Sequence, residues 1–210
     1  MTFRLLTITL AFAPIASAVA GNRTPLDEPL TSAGFEEIAR EDGVTAFKHT
    51  DSDVIGIAAE GRIDASPDEV RRALIDYDRQ VGIISRLSEA KILDREATWL
   101  IVYQRLNLPV VNDRDYTLHV RWGNDDEVTW ITFSALAKTG PEPRDGVVRV
   151  AVHDGSWQLR PLDGGSATFA RFQTRLDLGG WIPMWLVRAN AARELLGVFR
   201  ETRSMVYHPE

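Results

Sequence analysis

The chain has 210 residues, with 24 basic and 30 acidic side chains, a formal net charge of -6 and no cysteine. An acidic balance excludes ordinary nucleic-acid binding, which needs a basic face, and disfavours electrostatic docking on anionic lipid. Without cysteine there are no disulfides, no thiol catalysis, no cysteine-bound metal and no lipidated anchor, so the fold must rest on its own core.

The first twenty residues read as an export leader. Arg4 precedes an apolar run from Leu5 to Ala13, and Ala16-Ser17-Ala18 and Ala18-Val19-Ala20 both suit a signal peptidase. Cleavage is expected after Ala18 or Ala20, giving an exported, periplasmic protein. The run falls well short of the roughly 20 residues that span a bilayer. Loss of Arg4 leaves 23 basic residues against 30 acidic ones. The remaining length, about 190 residues, suits one domain.

Residues 21–31, GNRTPLDEPLT, are polar and hold two prolines, so they read as a flexible lead-in to a domain over 32–207. A short helix is expected over 32–41, with Phe35, Ile38 and Ala39 as its apolar side and Gly43 as its stop. Strands are expected over 44–49 and 54–64; in the second, Ile55, Ile57, Ala59, Gly61 and Ile63 share one face. Ser66, Pro67 and Glu69 form a helix start with a capping box, followed by Val70, Ala73, Leu74 and Tyr77 at helical spacing. The period then changes to two. Strands are predicted over 88–94, 98–107, 116–123, 127–135, 147–153, 156–162 and 166–177, joined by short turns such as Asp154-Gly155 and Asp163-Gly164-Gly165. A long helix over 183–205 ends the chain, and it alone is large enough to cover one face of the antiparallel sheet.

Three segments resemble START domains, the StAR-related lipid transfer family. NDRDYTLHVRW is similar to their Arg-Asp-aromatic strand opening, GSWQLRPLDGGSATFARFQTRLDLGG to their paired late strands, and GGWIPMWLVRANA to the start of their C-terminal helix. With the order of elements, the likeness spans about residues 35 to 205. It implies an α+β helix-grip fold, in which a curved antiparallel sheet wraps a long C-terminal helix around an apolar cavity. It also implies binding and transport of a lipid or other apolar small molecule, with no cofactor and no catalysis. A monomer is expected.

Cavity walls follow from the strand faces. Tyr116, Leu118 and Val120 share a face with Trp122 and are expected inward. On the preceding strand Trp99, Ile101, Tyr103 and Arg105 are assigned to the cavity, although Leu100, Val102 and Gln104 make the other face apolar too. Trp130 and Thr132 are expected to line the next strand. The resemblance implies an acid and an arginine in some relatives at positions matching Tyr103 and Val120; neither residue here is charged. On the last helix Trp185, Ala189, Ala192, Leu195, Leu196 and Phe199 fall in one apolar sector, with Arg188 among them. Arg188 can meet an anionic ligand group or reach out to water along its apolar stem.

Trp181, Ile182, Met184 and Trp185 crowd the first turn of this helix and cannot all face the core. They are expected to form the lip of the cavity and, with the loop over 136–146, a gate in transient contact with a membrane. Packing of the loop over the tryptophans is the plainer alternative. The chain has no GxSxG, no phosphate-binding glycine loop and no HExxH. Its four histidines are dispersed and read as surface or strand-end residues; NDRD reads as a turn with local salt bridges. Two other functions stay open: a cyclase or aromatase using Tyr103, Arg105 and Tyr116 to polarise a carbonyl, and a protein-interaction module docking through Trp181–Trp185.

Overall fold

A computed structural model describes residues 23–49, 54–180 and 184–207, with side chains for all of these except 184–190. Among the described residues ten strands form one sheet, nine of them in the order β1-β2-β3-β10-β9-β7-β6-β5-β4 and β8 off this path against β6. These are β1 (Phe35–Glu41), β2 (Val44–His49), β3 (Ile55–Ile63), β4 (Leu87–Arg95), β5 (Trp99–Leu106), β6 (Asp113–Asp125), β7 (Val128–Ala135), β8 (Val147–Arg149), β9 (Val152–Leu162) and β10 (Ala167–Asp177). Every pairing is antiparallel except β8, which runs parallel to Asp113–Asp115 of β6, beyond the stretch that β7 occupies. Helices α1 (Pro67–Ile75) and α2 (Tyr77–Gln80) carry the chain from β3 to the far edge strand β4. Helix α3 (Met184–Tyr207) closes the chain; at 1.5 Å per residue its 24 residues span about 36 Å.

Residues 32–41 are not a helix. A 3-10 turn over Leu30–Ala33 ends at Gly34, whose φ is +81°, and the chain then enters β1. A bulge between Glu37 and Ala39 shifts the register of β1 against β2. It sets adjacent Ile38 and Ala39 both against the main core, while Phe35 packs with Leu30 and Phe47 on the other face, so period two is broken. The stop read at Gly43 is a hairpin turn, with Asp42 at φ +49° and Gly43 at φ +72°. The capping box is as expected: Ser66 Oγ accepts from Glu69 N, and Glu69 Oε2 accepts from Ser66 N at 2.9 Å.

The lead-in is strapped to the outer face of the sheet. Arg171, 3% exposed, donates to the carbonyls of Pro25 at 2.8 Å and Glu28 at 2.9 Å and pairs with Glu60 at 2.8 Å. Gln158 Nε2 donates to Thr24 O at 2.8 Å, and Thr24 N donates to Gln173 Oε1 at 3.1 Å. These bonds replace the looseness expected from the prolines with a defined path over Thr24–Glu28.

The main core lies on the inner face. Val120, Leu100, Val102, Leu159 and Ala170 are fully buried there beneath Phe199 and Leu195 of α3, with Val70 of α1 at one side. Trp157 ties the layers together, its ring 4.9 Å from Phe172 on the sheet and 5.5 Å from Phe199 on the helix.

Candidate ligand cavity

Between the sheet and the C-terminal half of α3 lies a cavity of about 180 Å³. Its floor is Leu118, Tyr116, Ile131, Phe133, Trp157 and Phe172; its roof is Val198, Thr202 and Met205; Tyr77, Gln80, Ile84 and Leu87 close one side. Phe133 reaches its place because residue 155 is glycine: a Cβ there would stand 2.3 Å from Phe133 Cζ. Helix and side wall are joined at the surface by an Arg86–Glu194 ion pair at 3.0 Å and by Ser85 N donating to Glu201 Oε1 at 2.9 Å.

Tyr116 and Leu118 line the cavity, and Val120 is fully buried on the same face. The face assigned to β5 is reversed. Register pairs Leu100 with Val120, Val102 with Leu118 and Gln104 with Tyr116, so the even residues point inward. Trp99, Ile101, Tyr103 and Arg105 lie on the outer face: Trp99 stacks edge-on with His119 at 5.6 Å, Tyr103 Oη donates to Asp115 Oδ2 at 3.1 Å, and Arg105 pairs with Asp113 at 2.5 Å. Alternation failed because the 136–146 loop covers this outer face, with Gly140 set against Thr117 and Tyr103, so both faces of β5 are apolar.

Trp130 is also on the outer face, opposite Gly123 and Gln158, with the Arg23 guanidinium 5.4 Å from its ring; Thr132 shares that face, and Ile131 and Phe133 take the inner positions. On α3, Leu196 packs against the core, while Ala192 is half-buried away from this cavity. The side chains of Met184, Trp185, Arg188 and Ala189, and residues Trp181 and Ile182 altogether, lie outside the described residues.

Missed by sequence reasoning were Tyr77, Gln80, Gln104 and His153. Tyr77 sits at helical spacing from Val70 and Leu74, the one signal that pointed inward. His153, read as a strand-end residue, stands edge-on to Tyr116 at 4.6 Å and to Phe133 at 5.2 Å. Burial lowers its pKa to about 4, so it is a neutral imidazole at pH 7. Burial likewise raises both phenols, Tyr77 and Tyr116, above their ordinary range.

NDRD forms salt bridges, as expected, but Asp113–Asp115 open strand β6 rather than a turn, and the segment also braces the root of α3. Asp113 binds Arg105, and Asp115 accepts from Arg149 at 3.0 and 2.7 Å. Between them Arg114, 1% exposed, donates to the carbonyls of Leu178 and Gly179 at 3.0 Å each and to that of Asn112. Burial lowers its pKa, partly offset by Asp113. Gly179 and Gly180, at φ +61° and +62°, lie against Val148 of β8 and lead into α3.

No protein-family model matches the chain, and no curated protein matches its sequence. Solved structures do match. A STAR-related lipid transfer protein from Xanthomonas axonopodis aligns with a TM-score of 0.76 and 21% identity, over 83% of this chain and 99% of that one. Human STARD10 aligns with a TM-score of 0.74 and 16% identity, over 88% and 81%. An aromatase/cyclase from Streptomyces sp. R1128 aligns with a TM-score of 0.53 and 14% identity, over 73% and 94%. At such identities the likeness speaks to fold. The chain has the helix-grip fold of the START domains, a curved antiparallel sheet closed around its C-terminal helix.

Proposed function

We propose that the protein binds one lipid or other apolar molecule between sheet and α3 and carries it without covalent chemistry. The aromatic and aliphatic cavity carries this reading, and the fold shared with lipid transfer proteins supports it. Affinity comes from apolar burial, about 25 cal/mol per Å², with a few polar groups fixing orientation. The cavity's volume of about 180 Å³ is less than the roughly 300–1,000 Å³ of ordinary ligand sites. A larger ligand therefore requires α3 to swing outward, with Gly179-Gly180 as hinge and release of the Arg114 bonds as the cost of opening.

The same reading has the leader removed after Ala18 or Ala20 and the protein working in the periplasm; N-terminal sequencing of the exported form tests it. The β5–β6 tip, where Val110 is 97% exposed at φ +73°, lies next to the root of α3 through Arg114 and supports a transient membrane contact at this end.

The binding test is fluorescence titration with N-phenyl-1-naphthylamine, a neutral apolar probe, followed by displacement with lipids. Saturable binding, lost in Leu118→Trp while near-ultraviolet circular dichroism is kept, is the expected result. Equal binding by the filled variant refutes this cavity as the site. A second reading, an aromatase or cyclase, has the fold of the Streptomyces protein in its favour. It needs an acid or base at the ligand, and Glu201, the one carboxylate among the described lining residues, already accepts from Ser85 N.

A further inference from the structure

Most polar groups around the cavity are already engaged. Gln80 Nε2 donates to Leu74 O at 3.1 Å, Gln104 Nε2 to Gln80 Oε1 at 3.4 Å, and Thr202 Oγ1 to Val198 O at 2.8 Å; Glu201 holds Ser85 N. Three groups are different. Tyr77 is 8% exposed and Tyr116 6%, yet neither phenol is hydrogen-bonded to another described residue. His153 Nδ1 is sealed from solvent and has no hydrogen-bond partner. All three residues line the one cavity, on α2, β6 and β9; the His153 ring abuts Tyr116, and the Tyr116 phenol is close enough to perturb that of Tyr77.

Buried polar groups are ordinarily paired, because an unmade bond forfeits the hydration each group had in water. One sealed, unpaired nitrogen and two phenols without a described protein partner, all lining one cavity, mark where a ligand supplies the partners. Their chemistry narrows that ligand. Two phenols donate and accept, and a neutral imidazole accepts at its unprotonated nitrogen. No Arg or Lys is among the described lining residues, so a carboxylate or phosphate here would be buried without a counter-charge. A hydroxyl matches: it donates to the imidazole and accepts from a phenol.

We propose that Tyr77, Tyr116 and His153 form a receptor for the hydroxyl of an apolar alcohol, and that this receptor selects the ligand class. The inference rests on the cavity being the ligand site. It goes further in assigning which residues hold the polar end and which charge state they accept.

The test uses three probes that share a naphthalene body: 1-naphthol, 1-methylnaphthalene and 1-naphthoate. Affinities are measured on wild type and on Tyr116→Phe, Tyr77→Phe and His153→Phe, each checked for native near-ultraviolet circular dichroism. Three variants are used so that loss of one fold leaves two others informative. Wild type should bind naphthol about 10-fold tighter than methylnaphthalene, the scale of one or two net hydrogen bonds, and naphthoate least well. Each folded variant should lose about 3- to 10-fold for naphthol while methylnaphthalene changes less than about 2-fold. Equal losses for both neutral probes would make the three residues merely structural and overturn the receptor. Preference for naphthoate would overturn the hydroxyl in favour of an anion. Binding of no probe by wild type would refute the ligand cavity itself, and the receptor with it.

Discussion

Replacing His153 by Phe should remove much of the protein's sensitivity to mild acid. The imidazole is held neutral by burial, with its pKa lowered to about 4 from 6.5. The unfolded chain therefore takes up a proton as pH falls through 6.5, and the native state does not until about 4. Native stability from this residue is complete above pH 6.5, is lost progressively between 6.5 and 4, and falls no further below that. The loss is small at pH 7 and at most about 2 kcal/mol at pH 5; it is an upper bound because His153 keeps some solvent access. For a domain of this size that is roughly 4–8 °C in Tm. Phe keeps the edge-on contacts to Tyr116 and Phe133 and removes the unpaired nitrogen. The assay is urea unfolding of both proteins at pH 7, 6 and 5. His119, whose pKa burial also lowers, contributes equally to both and cancels in the difference. Parallel pH dependences would refute the burial of a neutral imidazole at this position.

Gly155→Ala should cost at least about 2 kcal/mol, because the new Cβ meets Phe133 Cζ at 2.3 Å and the backbone oxygen of Gln173 at 2.5 Å; chemical denaturation measures it, and a neutral effect would contradict the packing. Phe199→Ala, fully buried between α3 and Trp157, should cost about 3–5 kcal/mol in the same assay. Arg171→Met should free the strap, raising the rate of tryptic cleavage after Arg23 and costing about 3 kcal/mol through the abandoned Glu60; unchanged cleavage would show that the strap is held by other contacts. Arg114→Met should speed dissociation of N-phenyl-1-naphthylamine about 3- to 10-fold in stopped flow with a smaller change in Kd. Unchanged kinetics would remove Arg114 from the hinge.

The fold was legible because its signals were local. The Ser66–Glu69 capping box, the turn at Gly164-Gly165 and period two along β6 each point to one backbone state; the turn read at Asp154-Gly155 instead lies within β9, where the glycine makes room for Phe133. β1 was misread because a bulge sets adjacent Ile38 and Ala39 on one face and so breaks its period of two. The site was less legible because it depends on which face of a strand is covered. On β6, alternating Tyr116, Leu118 and Val120 against His119 and Arg121 identified the inner face. On β5 the 136–146 loop buries Tyr103 from outside, and both faces look like core. His153 gave no signal at all: its neighbours Tyr116 and Phe133 come from two other strands, and only the sheet register brings them together.

The most direct measurement is native mass spectrometry of the protein purified without delipidation, followed by organic extraction. One bound apolar molecule per chain, lost on denaturation and carrying a hydroxyl without a charged head group, is the predicted result. A ligand-free mass that takes up nothing from a panel of lipids and apolar alcohols would contradict the account, leaving a domain whose cavity is a packing defect.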